Sequence, residues 1–388
     1  MKIFKLIYKN TLRHPLRTIL TILGIAVAVF AFGIIRTIID AWYAGVEASA
    51  QNRLVTRSAV SLVMPLPLSY REQISKLPGV LKVGNANWFG GIYKDPKNFF
   101  ANFAVDENYL DMYPEFIVPA DQREQYLKER NACVVGRKLA EKYGWKVGDR
   151  VQLIGTIFPG DWDFIIRGIY RGAEKGTDET AFLFRWDYLN ERVREMSPDD
   201  ADNVGWYMVQ IAGNADAAAM SQQIDTLFKN SFAETLTETE RAFQQSFVAM
   251  SGTIILAMRV ISIVVIFIIL LVLANTIAMS ARERLSEYAV LKTLGFRPFH
   301  LIGLISGESM LIALLGFVVG MILMIFAVQG LGVFINENLG SFFPVFELKD
   351  QTIVMAFGAA ILVAVVAALF PVWRAVKMKI ADGLRQIG

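Results

Sequence analysis

Few residues of this chain could carry out chemistry on a bound molecule. It has two histidines, His14 and His300, and one cysteine, Cys133. One cysteine excludes an internal disulfide and a multi-cysteine metal site. Two histidines near the predicted membrane boundary argue against a histidine metal site or a catalytic triad in the water-exposed part. Neither H-E-x-x-H, G-x-S-x-G nor the phosphate-cradling G-x-x-x-x-G-K-[ST] occurs, so no hydrolytic or nucleotide-binding site is expected and no cofactor is assigned to the chain. The acid pairs Asp199-Asp200 and Asp161/Asp163 sit in turn-like contexts and read as solvated loop residues. Glu308 is different, being an acid set early in the third predicted span, at membrane depth. An acid at that depth is either functional or satisfies the membrane interface near a helix start, and the sequence leaves both readings open.

The elements that hold these residues are set by apolar length. The 388 residues are 54% hydrophobic yet 19% charged, which implies that the two kinds are segregated between lipid and water. A span needs about 20 apolar residues, and four segments qualify. We place them at 17–43, 251–281, 301–335 and 352–373, with an amphipathic basic helix over 1–16, an inner loop at 282–300, a short loop at 336–351 and a tail at 374–388. The run Ala48-Ser49-Ala50 resembles a leader cleavage site. The 18-residue apolar stretch before it exceeds the usual leader length, so it is read as a retained span.

Lysine and arginine fix the expected orientation. Lys2, Lys5, Lys9, Arg13 and Arg17 precede the first span, Arg282, Arg284, Lys292 and Arg297 lie in the inner loop, and Arg374, Lys377, Lys379 and Arg385 in the tail. The loop between the third and fourth spans instead carries Glu337, Glu347 and Asp350 against Lys349. Both termini are therefore expected in the cytoplasm, and residues 44–250 outside. Arg36 and Arg259 fall at the outer interface, as anchors or as gate charges. With a net charge of +3, no nucleic-acid partner is expected. Gly303-x-x-x-Gly307 and Gly316-x-x-x-Gly320 permit close helix contact.

Residues 44–250 read as an α+β domain. Helices are expected at Tyr70–Leu77, Arg137–Tyr143 and Asp216–Phe228, the last closing the domain. Strands are expected at Cys133–Val135, Arg150–Ile154, Asp163–Tyr170, Ala181–Arg185 and Trp206–Ile211. Arg36–Arg53 and Glu238–Met258 continue the helical pattern as a stalk. The aromatics of Trp88-Phe89, Phe99-Phe100 and Tyr109–Tyr113 read as core rather than as a substrate surface.

The inner loop, Ala281-Arg-Glu-Arg-Leu-Ser-Glu-Tyr-Ala-Val-Leu-Lys-Thr-Leu-Gly295, is a short amphipathic helix with a glycine stop. It resembles the corresponding loop of MacB/FtsX-type ABC transporter permeases, the type VII group. Asn10-Thr-Leu-Arg-His-Pro-Leu-Arg-Thr-Ile-Leu-Thr-Ile-Leu-Gly24 is similar to that family's N-terminal stretch. So are Phe370-Pro-Val-Trp-Arg-Ala-Val-Lys377 with Ala381-Asp-Gly-Leu-Arg385 to its tail, and Val134-Val-Gly-Arg-Lys-Leu-Ala140 with Lys146-Val-Gly-Asp149 to its outer domain.

The resemblance implies four transmembrane helices with a MacB-like periplasmic core domain between the first two, in the bacterial inner membrane. It implies a dimer with a second copy or a paralogue, and ATP with Mg on a separate ABC ATPase, because the fused ATPase domain of MacB is missing. A periplasmic adaptor and an outer-membrane channel are further partners that the family can use, alongside membrane lipid. Arg282, Glu283, Glu287, Tyr288, Leu291, Lys292, Leu294 and Gly295 would form the coupling helix on the ATPase. Tyr288 and Leu291 would be buried anchors there, and Glu287 would face basic groups of the partner. The implied activity is mechanotransmission that exports or extracts a hydrophobic, peptide or lipoprotein-like substrate. The alternative is an FtsX-like transmitter that regulates an outside enzyme.

Overall fold

The computed structural model describes residues 2–11, 13–47, 50, 52–98, 100–174, 176–338, 343 and 345–379. It falls into two units. One comprises Met1–Asp40, Gly252–Gly332 and Phe346–Gly388, and the other Ala41–Ser251 and Val333–Val345.

In chain order, α1 (Lys2–Thr11) and α2 (Pro15–Glu47) lead into the inserted unit. There follow β1 (Arg53–Ser58), β2 (Leu66–Pro67), α3 (Tyr70–Ser75), β3 (Val80–Trp88), β4 (Asn102–Val105), α4 (Tyr109–Met112), β5 (Phe116–Ile117), α5 (Ala120–Lys128) and β6 (Ala132–Gly136). The unit continues with α6 (Arg137–Tyr143), β7 (Arg150–Gly155), β8 (Gly160–Gly172), β9 (Phe182–Arg185), α7 (Trp186–Met196), β10 (Asn203–Val204), β11 (Trp206–Ile211), α8 (Ala217–Leu227), β12 (Thr235–Thr239) and α9 (Glu240–Met250). Ten strands form one sheet in the order β12-β1-β11-β3-β4-β9-β6-β8-β5, with β7 also on β8. Short β2 and β10 pair separately.

Successive side chains of a strand point to opposite faces, and both faces of this sheet are apolar. Tyr207 and Val209, Phe182 and Phe184, and Cys133 and Val135 enter one buried cluster, covered by Ile74 of α3, Leu139 of α6, Leu189 of α7 and Ile224 of α8. Met208, Leu183 and Val134, their alternating neighbours, enter a second cluster with Met112 of α4 and Tyr126 of α5. Gly136 joins β6 to α6 where a Cβ would lie 2.0 Å from the carbonyl oxygen of Glu179, so only glycine fits. Gly144 ends α6 in the left-handed region, at φ +69°, which glycine adopts without strain.

At the sheet edge, Asp225 accepts hydrogen bonds from the Thr235 hydroxyl (2.9 Å), the Thr237 hydroxyl (2.7 Å) and the Thr237 amide (3.0 Å). That carboxylate occupies an edge donor of β12 that would otherwise invite a foreign strand.

Two expectations are corrected. Arg53 does not end a stalk helix but opens β1, and Glu238 lies in β12, so the helical segment begins at Glu240 and breaks at Ser251. Polar Thr-Leu-Thr-Glu-Thr carries little strand signal on its own, and its pairing with β1 overrides that weakness. For the same reason β12, not α8, completes the domain.

The other unit holds α10 (Gly252–Glu283), α11 (Leu285–Thr293), α12 (Pro298–Asn338) and α13 (Asp350–Lys377). The helices at Pro15–Ala44, Gly252–Glu283, Pro298–Ile335 and Asp350–Lys377 are long and apolar enough to cross a membrane. Small residues let them touch. A Cβ on Gly316 would lie 2.6 Å from the Ile25 side chain, and one on Gly320 2.6 Å from the Ala26 carbonyl oxygen. The second glycine pair thus serves a contact within the chain, while Gly303 faces open space. Ser309 donates to the Ala364 carbonyl at 2.7 Å.

Asp106 of the inserted unit is buried, paired with Arg71 at 2.9 Å, and accepts from the Asn108 amide at 3.1 Å. Burial outweighs the Arg71 charge and pushes its pKa up to about 6. A carboxyl that holds its proton more tightly when folded favours folding at low pH, and that advantage fades as pH rises through about 6. The cost at pH 7 and above is about 3 kcal/mol. Asp106→Asn keeps the shape without the charge. It should raise the melting temperature at pH 7.5 by several degrees, by about half as much at pH 5 and little below about pH 4, and abolish the wild-type gain on acidification.

Candidate coupling site on the loop between the second and third spans

Charged side chains tie the loop around α11 to the N-terminal segment, α12 and α13. At the start of α11, Arg284 is almost fully buried and its guanidinium meets the buried Glu308 carboxylate of α12 at 3.1 Å. Glu308 also accepts from the Ser280 hydroxyl at 3.1 Å, and Arg284 donates onward to the Asn10 carbonyl of α1 at 2.7 Å. Glu308 is therefore neither isolated nor open to a pathway in this structure. It neutralises an arginine, as a buried charge must be neutralised.

A second tie joins the loop to the N-terminal segment. Arg17 donates to both Glu283 oxygens at 2.8 Å, His14 lies 3.6 Å from the same carboxylate, and Arg13 pairs with Glu287. The third tie is Lys292. Its ammonium donates to the carbonyls of Ala375 (3.0 Å), Val376 (2.9 Å) and Met378 (2.8 Å), capping the C-terminal end of α13 where a cation is favoured. Beneath α1, the Ile7 side chain fills the space at Gly307. Tyr8 of the same helix is exposed.

Tyr288 is only 3% exposed and packs with Leu301 and Ile305. Burial pushes its phenol up to about 12. It anchors α11 to its own unit and is not available to a partner, and Leu291 is partly buried in the same cluster. The apolar side chains that do face outward are Val290, Leu294 and Phe299, next to exposed Arg282 and Arg297. Gly295 ends the helix at φ +87°. Glu287, expected to face basic groups of a partner, is exposed and paired with Arg13 of this chain.

Sequence reasoning missed Arg13, Arg17 and Arg284 as partners of these acids. One signal was present. Arg13 and Arg17 stand four residues apart, as do Glu283 and Glu287, so two bases and two acids recur at the same interval. Elsewhere in the unit, Arg36 lies 3.4 Å from Asp40, which accepts from the Thr352 hydroxyl at 2.9 Å. Arg259 is exposed. The tail at Ala381–Arg385 lies outside the described residues.

Removing one partner of a buried pair leaves the other charge without compensation, typically at a cost of about 3–5 kcal/mol. Glu308→Ala should therefore lower the melting temperature of the purified chain sharply. Arg284→Met combined with Glu308→Leu should recover most of the loss. A double variant as unstable as the single one would show that the pair itself, and not its broken form, carries the stability.

Residues 18–227 match the MacB-like periplasmic core domain and residues 259–380 the FtsX-like permease C-terminal domain. An uncharacterized ABC transporter permease of Methanocaldococcus jannaschii is 22% identical over 97% of this chain and 96% of its own length. The lipoprotein-releasing system transmembrane protein LolC of Haemophilus influenzae is 22% identical over 95% of this chain and 93% of its own. The periplasmic region of MacB from Actinobacillus actinomycetemcomitans covers 52% of this chain and 95% of that structure, at 10% identity and a TM-score of 0.39. Four apolar helices with an α+β unit after the first fit a multi-pass inner-membrane protein. With the periplasmic core domain matched over more than half of this chain and the FtsX-like domain following, the chain belongs to the MacB/FtsX-type ABC transporter permeases.

Proposed function

We propose that this permease transmits the closure of a separate ATPase dimer to the inserted unit, and so exports or extracts a hydrophobic, peptide or lipoprotein-like substrate. The observation that carries this reading is the threefold anchoring of α11. Through Arg284–Glu308, Arg17–Glu283 with Arg13–Glu287, and Lys292 on the end of α13, a push on one short helix reaches α1, α2, α12 and α13 together. Rigid coupling of that kind suits mechanical transmission. Both termini and α11 would lie in the cytoplasm, following the lysine and arginine bias. ATP and its Mg would be held by the partner ATPase, and two permease chains would share one ATPase pair. Likeness to the lipoprotein-releasing system protein LolC over nearly the whole chain supports extraction of a lipoprotein-like substrate, and an adaptor or outer-membrane channel would be further partners.

The docking surface would be the outward patch of Val290, Leu294 and Phe299 flanked by arginines. Truncating a central anchor of an interface commonly costs about 2 kcal/mol or more. Leu294→Asp, at a 70% exposed position, should leave the permease folded but reduce recovery of the ATPase with it at least tenfold. Full ATPase recovery together with normal transport in that variant would remove α11 as the transmission point.

Orientation can be read separately. Cys133 is fully buried and should stay silent. A cysteine at exposed Asp199 should react with an impermeant maleimide in intact cells, while one at Leu294 should react only after the membrane is opened. Labelling of Leu294 in intact cells would reverse the topology.

A further inference from the structure

The inserted unit contains a cleft of about 1940 Å³, larger than the roughly 300–1,000 Å³ typical of pockets for drug-sized ligands. Its floor is one face of the sheet. There Trp88 and Phe103 are directly paired across strands, with rings edge to face at 5.0 Å, and Trp206 meets Phe103 at 5.9 Å. At one side Tyr109, Tyr113 and Phe116 form a stack, with centroids 4.4 and 5.9 Å apart.

The charges that line the cleft are unequal. Among the described lining residues, Glu115, Glu174, Asp178, Asp200 and Glu240 stand against Arg53 alone. Arg53 is already engaged, bonded to Glu240 at 2.7 Å and to Glu115. Its guanidinium sits 4.0 Å over the Tyr113 ring, so the tyrosine stack already holds one cation by its face. Aromatic faces attract cations, and a cleft with excess carboxylate concentrates them and repels anions.

We propose that this cleft is a binding site for a bulky amphipathic organic cation, whose apolar body rests on Trp88, Phe103 and Trp206 and whose positive group is drawn to the carboxylate rim. The apolar floor selects against small hydrated cations, and the rim selects against lipophilic anions. That such a molecule is also what the permease moves rests on the transport reading. The binding itself does not, since it needs neither ATP nor the ATPase.

The test uses the full chain in nanodiscs of zwitterionic lipid, with radiolabelled tetraphenylphosphonium as probe and empty nanodiscs subtracted. Tetraphenylborate has the same shape and the opposite charge. Saturable binding of the cation is expected, with the anion at least tenfold weaker. Trp88→Ala with Trp206→Ala should weaken cation binding about tenfold or more. Glu174→Gln with Asp200→Asn, both at exposed positions, should weaken it several-fold without moving the melting temperature. Should the tryptophan variant fail to fold, the rim variant decides. The proposal is overturned by absence of saturable cation binding, by equal binding of the borate, or by unchanged affinity in the folded variants. Loss of transport in the Leu294→Asp variant with cation binding intact would separate this site from the coupling machinery.

Discussion

A buried guanidinium and a buried carboxylate at the end of an apolar helix are stable only as a pair, because each alone would face the full cost of leaving water. Arg284 and Glu308 meet that condition, and much of the membrane unit is arranged around them. Ser280 satisfies the second carboxylate oxygen, and the Asn10 carbonyl takes another of the guanidinium's protons. Because Arg284 stands at the hinge between α10 and α11, the pair sets where the loop helix begins and which way it runs. Arg17, Arg13 and Lys292 then fix its remaining degrees of freedom.

The same helix has a fastened side and an open one. Tyr288 and Ala289 are buried against the rest of their unit, whereas Val290 and Leu294 are exposed. Side chains of one amphipathic helix thus divide between two surfaces, and apolar character alone does not say which surface a given residue serves.

That division marks how far the sequence could be read. The four apolar helices were legible because twenty consecutive apolar residues have few alternatives, and β6, α6 and β9 were legible from apolar runs with glycine punctuation. Strands β1, β3 and β12 were not. Arg53, Asn85, Asn87 and the threonines of β12 make poor local strand signals, and each of these strands pairs with one at least 120 residues away in the chain. At the coupling site, the residue types were legible but their partners were not, since pairing Glu308 with Arg284 rather than with lipid or substrate is a tertiary fact. The aromatics of the inserted unit divide in a way no pattern announces. Phe89 and Phe100 are core, whereas adjacent Trp88 opens on the cleft. Phe99 lies outside the described residues.

The register of β1 against β12 has a mechanical consequence. Leu54 lies opposite Thr239, so the chain enters the inserted unit and leaves it at the same end of two paired strands. Tension that drew entry and exit apart would load these strands as a zipper, one rung after another, which is the weak direction of a hydrogen-bonded ladder. At the mouth of that zipper stands Arg53, tied across the fork to Glu240 at 2.7 Å and to Glu115 from outside the two strands. A fork clasped in this way resists parting, whereas a pull shared equally by both ends leaves its rungs unloaded.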